Sequence, residues 1–214
     1  MALRLFDSHS QTLRDFVPLV PGEAGIYLCG PTVQSSPHVG HLRSALVYDQ
    51  LRRWLTVTGH KVTLVRNVTD IDDKVLVNAA ASGEQWWALA YRYEIEFNQA
   101  YNALRITPPT YEPRATASIP EMLAIIERLI EAGYAYQAQD GSADVYFAAS
   151  KWADYGELTN QRAEDMAAQG LAAACGPLAH RLLAPRIAQP DLRRIRGHRR
   201  RVHRDAWRRS GGRP

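Results

Sequence analysis

The sequence predicts an α/β fold built around a parallel β-sheet, and three neighbouring segments predict it. An apolar, strand-like run, "AGIYLCG", occupies residues 24–30, and a second strand-like run, "KVTLVRNVT", occupies residues 61–69. Between them, residues 40–58 have the apolar spacing of an amphipathic helix. A strand, a helix and a strand within about 45 residues form a βαβ unit, in which the two strands lie parallel.

The turn between the first strand and the helix reads "CGPTVQSSPHVGH", residues 29–41. Leucines then recur at about one helical turn or multiples of it, namely Leu42, Leu46, Leu51 and Leu55. Unpaired N–H groups at a helix N-terminus favour phosphate binding, and parallel sheets bind ligands beyond the carboxyl ends of their strands. The second strand also ends in polar residues, "NVTDIDDK". We therefore expect a site where both strands end.

Downstream segments complete the predicted order of elements. Apolar and aromatic residues between Trp86 and Leu104 follow helical spacing, which is typical of a core-facing helix. After the break "PPTYEPRAT" come a helix, "MLAIIERLIEAG", and a β-hairpin candidate around Asp140–Gly141. We predict an α/β region over residues 1–115, a small α/β insertion over 116–166 and a tail over 167–214.

Composition limits the class of protein. Of the 214 residues, 46% are apolar, which fits a globular protein, and no run of eighteen apolar residues predicts a membrane span. The first residues are too polar for a signal peptide, so we expect a cytoplasmic protein with no membrane partner. The two cysteines, Cys29 and Cys175, form no disulfide framework.

The net charge of +4 hides two unlike parts of the chain. Residues 1–169 have a net charge of −6, whereas residues 170–214 contain 12 Arg, no Lys and two Asp. The tail is either an arm that makes nonspecific nucleic-acid contacts or an out-of-frame translation of GC-rich DNA, and we favour the second interpretation. Its lack of a periodic apolar face predicts disorder in both cases.

Five motifs together resemble the N-terminal part of the cysteinyl-tRNA synthetases, or cysteine–tRNA ligases. These are class I aminoacyl-tRNA synthetases with a Rossmann-type (HUP-like) catalytic domain. The resemblance extends from about Leu3 to about Met166. Its motifs are "CGPT" (29–32), "HVGH" (38–41, the family's "HIGH" signature), "VRNVTDIDDK" (65–74), "EPRAT" (112–116) and "YGEL" (155–158).

The resemblance implies an enzyme that activates cysteine with ATP and Mg and transfers it to tRNA(Cys). It implies that His38 and His41 are catalytic and hold the ATP phosphates, while Gly40 leaves room for adenine. It also implies that four residues line the substrate pocket or neighbour the aminoacyl-adenylate, namely Gly30, Thr32, Asn67 and Thr69.

The resemblance also implies a zinc ion that binds the substrate thiol, with Cys29 as its first ligand. Such a site needs about three protein ligands, and the family's "WHxEC"-type segment is absent from this sequence. We leave unassigned the remaining candidates in the tail, which are Cys175, His180, His198 and His203. We expect that this chain does not hold zinc stably.

Two interpretations stay open for the charged residues of the second strand and its turn. Asp70, Asp72 and Asp73 either cap the start of a helix or face the substrate's ammonium group. Arg66 is either a phosphate contact or part of a structural ion pair, and we favour the ion pair.

The family's second signature, "KMSKS", does not occur in this sequence. We therefore expect a truncated or frameshifted copy after about residue 166, without measurable cysteine activation on its own. Two alternatives remain. One is the ATP-dependent cysteine–aminosugar ligase of mycothiol biosynthesis, and the other is an inactive fragment with an RNA-binding tail.

Overall fold

The computed structural model describes residues 3–139 and 144–160, together with the backbone of residues 179–183. The chain divides into two compact units, one of Met1–Leu5 with Leu13–Ile119 and one of Phe6–Thr12 with Pro120–Pro214. Within the described ranges, no helix is both long and apolar enough to cross a membrane.

The first unit is built on a parallel strand pair. A two-stranded sheet of β1 (Arg4–Asp7) and β2 (Thr12–Asp15) precedes β3 (Glu23–Leu28), α1 (Val39–Val57) and β4 (Lys61–Arg66). β3 and β4 pair in parallel from Glu23 opposite Lys61 to Leu28 opposite Arg66. The predicted βαβ unit is therefore confirmed, although the regular ladder of β4 ends three residues earlier than the sequence predicted.

Two further helices follow β4. α2 (Asp73–Ser82) begins at Asp72, whose side chain accepts the Lys74 N–H, and ends at Gly83, whose φ of 70° is in the left-handed region. α3 (Trp86–Ala103) is the predicted aromatic helix. The sequence analysis did not assign α2, which is short and rich in alanine.

The core of the first unit lies between the strand ends and these helices. Phe97 and Tyr101 of α3 are buried, so the core role predicted for the aromatic stripe is confirmed there. Side chains from the strand ends and from α1, α2 and α3 pack together in one cluster of buried residues: Val33, Ala45, Val68, Val75, Ala79, Leu89, Ala90, Phe97, Tyr101 and Ile106.

A third extended segment lies beside β4. Residues 110–116, which we call the 110–116 segment, run parallel to β4, with Tyr111 opposite Val65 and Arg114 opposite Val68. The Thr110 N–H donates to the Leu64 carbonyl at 2.7 Å, and the Arg66 N–H donates to the Tyr111 carbonyl at 3.1 Å. The sequence predicted no strand here, although part of this stretch is the family motif "EPRAT" (112–116).

The second unit combines a helix with an antiparallel sheet. It contains α4 (Ile119–Glu131) and the strands β5 (Ala135–Gln137), β6 (Val145–Ala148) and β7 (Ala179–Leu183), in the order β5-β6-β7. The predicted pairing of β5 with β6 is confirmed, while the proposed turn at residues 140–141 lies outside the described residues.

One stretch of the tail differs from the prediction of disorder. β7, in that tail, pairs antiparallel with β6. The edge of β6 offers unpaired backbone groups that a further strand can satisfy, which local composition does not reveal. The rest of residues 167–214 lies outside the described residues.

Candidate functional site

A bulge at the carboxyl end of β3 forms the centre of the candidate site. Leu28 pairs with Arg66, and Thr32 pairs with Thr69 in an isolated parallel bridge. Three residues of one strand therefore face two of the other. Such bulges re-aim side chains and are frequent beside active sites. Cys29 is the first residue of this bulge, and it is exposed.

Gly30 and Asn67 connect the two strand ends within the bulge. The Gly30 N–H donates to Asn67 Oδ1 at 2.9 Å, and Asn67 Nδ2 donates to Thr69 Oγ1 at 3.2 Å. A Cβ atom on residue 30 would overlap the carbonyl oxygen of Asn67. The close approach of the two backbones thus requires glycine at position 30.

Backbone hydrogen bonds continue this connection on the far side of the bulge. The Thr69 N–H donates to the Pro31 carbonyl at 3.0 Å, and the Val33 N–H donates to the Thr69 carbonyl at 3.2 Å. The structure thereby brings together the four residues predicted for the substrate pocket, Gly30, Thr32, Asn67 and Thr69, at the carboxyl ends of β3 and β4.

The two predicted catalytic histidines cap α1. His38 is the N-cap residue, and its Nδ1 accepts the Gly40 N–H at 3.1 Å. The His38 N–H donates in turn to His41 Nδ1 at 3.3 Å, and the two rings stack with centroids 3.8 Å apart. Because each Nδ1 accepts an N–H, the neutral rings hold their protons on Nε2. The pair therefore offers two Nε2–H donors at the positive end of a 19-residue helix.

The surroundings of His41 keep its ring neutral. Burial lowers the pKa of His41, and the charge of His38 lowers this pKa further. The ring also contacts Phe97, with centroids 5.1 Å apart. A Cβ atom on Gly40 would lie 2.9 Å from Cε1 of His38, so a side chain there would displace the His38 ring.

The described residues do not make a zinc centre. Among residues 3–139 and 144–160, no three His, Cys, Asp or Glu side chains lie close enough together to hold a metal ion. Cys29 supplies one thiol, whereas a structural or catalytic zinc site takes three or four protein ligands. The side chains of Cys175, His180, His198 and His203 lie outside the described part of the chain.

The structure decides between the interpretations left open for Asp70, Asp72 and Arg66. Asp70 is buried and accepts the backbone N–H of Thr116 at 3.0 Å, as well as its hydroxyl. Asp72 is the N-cap of α2, so the capping interpretation holds for Asp72, whereas Asp70 does not cap that helix. Arg66 is a buried ion-pair partner of Glu112 at 2.8 Å, as we favoured.

A charged network beside the site was missed by the sequence analysis. Arg114 forms a two-pronged pair with the buried Glu94 of α3, at 2.8 and 2.6 Å. The guanidinium of Arg66 also lies over the Tyr101 ring, 4.1 Å from its centroid. The available signal was the alternation of polar residues at every second position, which are Thr110, Glu112, Arg114 and Thr116.

Known proteins resemble this chain over most of its length. The family model of the class I (C) tRNA synthetase catalytic domain matches residues 15–175. The cysteine–tRNA ligase of Clavibacter sepedonicus is 69% identical over 173 residues, a match that covers 78% of this chain and 36% of that relative. The cysteine–tRNA ligase of Leifsonia xyli subsp. xyli is 68% identical, with the same two shares. The chain thus spans little more than a third of the length of these curated relatives.

A solved structure resembles the fold. Methionyl-tRNA synthetase of Mycobacterium tuberculosis, in complex with methionyl-adenylate, aligns with a TM-score of 0.50 and 20% identity. The alignment covers 61% of this chain and 33% of that one, and it supports the α/β fold alone.

Proposed function

The chain belongs to the family of class I (C) tRNA synthetase catalytic domains, and on that premise we propose that it forms the nucleotide-facing part of a cysteine–tRNA ligase. The observation that supports this most is the stacked pair of His38 and His41 at the N-terminus of α1, the helix that follows the bulge at Cys29 in the chain. The substrates are ATP with Mg, cysteine and tRNA(Cys).

The finer fold assignment belongs to the same proposal. β3, α1 and β4 constitute the first βαβ unit of a Rossmann-type (HUP-like) nucleotide-binding domain. The parallel register of β3 and β4 supports it, as does the position of the predicted site residues at the carboxyl ends of the strands.

The first reaction is an exchange at phosphorus. A carboxylate oxygen of cysteine forms a bond to the α-phosphorus of ATP, and the bond from this phosphorus to the β-bridging oxygen breaks. Pyrophosphate leaves with the electron pair, and cysteinyl-adenylate remains. Little covalent chemistry falls to the protein, which orients the reactants and stabilises the negative charge.

The described residues match those two tasks. The Nε2–H groups of His38 and His41 donate to phosphate oxygens, and the N-terminus of α1 adds its partial positive charge. Thr32, Asn67 and Thr69 surround the adenylate end of the pocket. In the second reaction a ribose hydroxyl oxygen at the end of tRNA(Cys) forms a bond to the activated carbonyl carbon. The bond from this carbon to the phosphate oxygen breaks, AMP leaves with the electron pair, and the hydroxyl proton is released to solvent.

Neither a zinc ion nor an aminosugar substrate is part of this proposal. The described residues do not fit the zinc ion expected from the family, because they bring no three ligand side chains together. The relatives named above are cysteine–tRNA ligases, which does not favour the cysteine–aminosugar ligase.

The proposal is tested with a non-hydrolysable cysteinyl-adenylate analogue, in which a sulfamoyl group replaces the phosphate. We expect saturable binding to the 214-residue chain by calorimetry, and loss of that binding in the double variant His38→Ala/His41→Ala. His60→Ala is the matched control, because the His60 ring lies beyond the opposite end of α1, in edge-to-face contact with Phe16. No binding by the unmodified chain, or equal binding by the double variant, contradicts the proposal.

A further inference from the structure

We propose that Arg114 and Glu94 are positioning residues, which hold the substrate-facing loop Asn67–Asp70 in place through the 110–116 segment. This inference rests on the proposed function for the role of the loop. The contacts among these residues do not depend on that function.

The loop lies between two backbones and is bonded to both. On one side, the Val68 N–H donates to the Pro113 carbonyl at 2.8 Å, and the Ala115 N–H donates to the Val68 carbonyl at 3.0 Å. On the other side, Thr69 bonds to Pro31 and Val33. A displacement of the 110–116 segment therefore displaces the loop and, through the loop, the bulge on its other side.

The backbone ladder alone is weak at this place. In this register residue 112 lies opposite residue 66, two positions before the bridge between Val68 and Arg114. The backbone nitrogen of residue 113 therefore faces the Arg66 carbonyl. Residue 113 is proline, which has no N–H to donate, so the ladder bond to that carbonyl cannot form. Side-chain contacts on either side of this gap hold the segment instead.

Those contacts share one face of the segment. Thr110 Oγ1 accepts the Leu64 N–H at 3.1 Å, Glu112 pairs with Arg66, and Thr116 bonds to Asp70. Tyr111, which lies between Thr110 and Glu112, is 63% exposed. Because alternate residues of the segment each have a specific polar partner, a slip by one residue would break all of these contacts, and each contact therefore helps to fix the register of the segment.

Arg114 gives this register a rigid anchor. Its two-pronged pair with Glu94 reaches α3, where Glu94 is 8% exposed and lies one turn from the core residues Ala90 and Phe97. A fork-shaped pair fixes direction as well as distance. Without this ion pair, the segment is held less firmly at Pro113 and Ala115, whose backbone groups bond to Val68. Val68 directly precedes Thr69 in the loop.

The test measures hydrogen exchange in the ligand-free 214-residue chain by NMR. In Arg114→Met we expect the amides of Val33, Val68 and Thr69 to exchange about 10-fold faster, while the amides in the middle of α1 keep their rates. Glu94→Gln, which is nearly isosteric, gives the same local pattern, and Arg114→Lys restores part of the protection. Arg92→Met is the matched control. Arg92 lies on an exposed face of α3, the helix that contains Glu94, and forms an ion pair with Glu84.

A second measurement separates this inference from the proposed function. Affinity for the cysteinyl-adenylate analogue should fall about 10-fold in Arg114→Met and remain unchanged in Arg92→Met. If the unmodified chain does not bind the analogue, the proposed function fails, while the exchange pattern still tests the positioning. Uniformly faster exchange throughout the first unit, or unchanged exchange at Val33 and Thr69, overturns the positioning role.

Discussion

Gly30 and Asn67 approach each other so closely that any side chain on residue 30 overlaps the carbonyl oxygen of Asn67. The Gly30 N–H donates to the side chain of the same asparagine at 2.9 Å. The bulge at Cys29 is thus fixed from residue 67 by backbone shape and by a hydrogen bond together.

Gly30→Ala should therefore destabilise the protein by about 1–3 kcal/mol, because the strand ends must separate to admit a methyl group. Urea unfolding measures the loss. Gly25→Ala is the matched control on β3, since a Cβ atom there meets nothing within 4 Å. Equal stabilities of the two variants would show that the strand ends are not in contact as described.

Replacements of Asn67 should separate its two hydrogen bonds. Asn67→Asp keeps an oxygen that accepts the Gly30 N–H but loses the donor to Thr69. Asn67→Ala loses both and leaves a partly buried N–H without its acceptor, at a cost of about 1–3 kcal/mol. Near pH 7 we expect Asn67→Asp to unfold at a higher urea concentration than Asn67→Ala. The reverse order would mean that accepting the Gly30 N–H at position 67 does not stabilise the fold.

The pair of Glu94 and Arg114 should give a pH-dependent mutational effect. Burial raises the pKa of Glu94, Arg114 lowers it, and Glu112 and Asp70 raise it again. Without Arg114 the pKa rises further, so the folded state binds this proton more tightly than the unfolded state. Stability is then lost as pH rises above the ordinary value near 4.5. Arg114→Met should cost about 1–3 kcal/mol at pH 8 and less at pH 5.

The control for that prediction is the double variant Glu94→Gln/Arg114→Met, which has no carboxyl group at position 94. Measured by urea unfolding, the difference in stability between this double variant and Glu94→Gln should be the same at pH 5 and at pH 8. A loss in Arg114→Met that is equal at pH 5 and pH 8 contradicts ionisation of Glu94 as the cause.

The sequence predicted the βαβ unit because its signals are local. The apolar strands and the leucine spacing of α1 need no knowledge of the partner strand. The bulge depends instead on pairing between residues 37 apart, which no local pattern contains. α2 was missed because a ten-residue, alanine-rich helix has little periodicity, although Asp72 and Gly83 mark its ends.

The candidate site residues were named from motifs, and the contacts that support them were missed. The structure stacks the rings of His38 and His41 and brings the four predicted pocket residues together at the strand ends. The 110–116 segment was interpreted as a break in the helical pattern and as part of a family motif, and no strand was assigned to it. Its alternate residues are held by ion pairs and polar hydrogen bonds, which a search for alternating apolar residues overlooks.

ATP affinity should depend on the charge of His41. The lowered pKa of His41 means that the free protein loses stability as pH falls below the ordinary value near 6.5. Bound phosphate favours the imidazolium, so ATP affinity should rise about 5-fold between pH 7.5 and 5.5. His41→Gln keeps a neutral donor and should lose this increase when measured by calorimetry. An equal rise in His41→Gln would show that His41 is not the group whose charge raises the affinity.

The proposed function requires that the α1 N-terminus and the bulge at Cys29 form one nucleotide site. An NMR titration of the labelled 214-residue chain with ATP and Mg tests it most directly, by reading the imidazole Nε2 signals and the backbone amides together. We predict saturable shifts at Nε2 of His38 and His41, at the Gly40 amide and at the amides of Thr32 and Thr69, with one dissociation constant. Shifts confined to other residues, or different dissociation constants for the histidines and for Thr69, would contradict the claim.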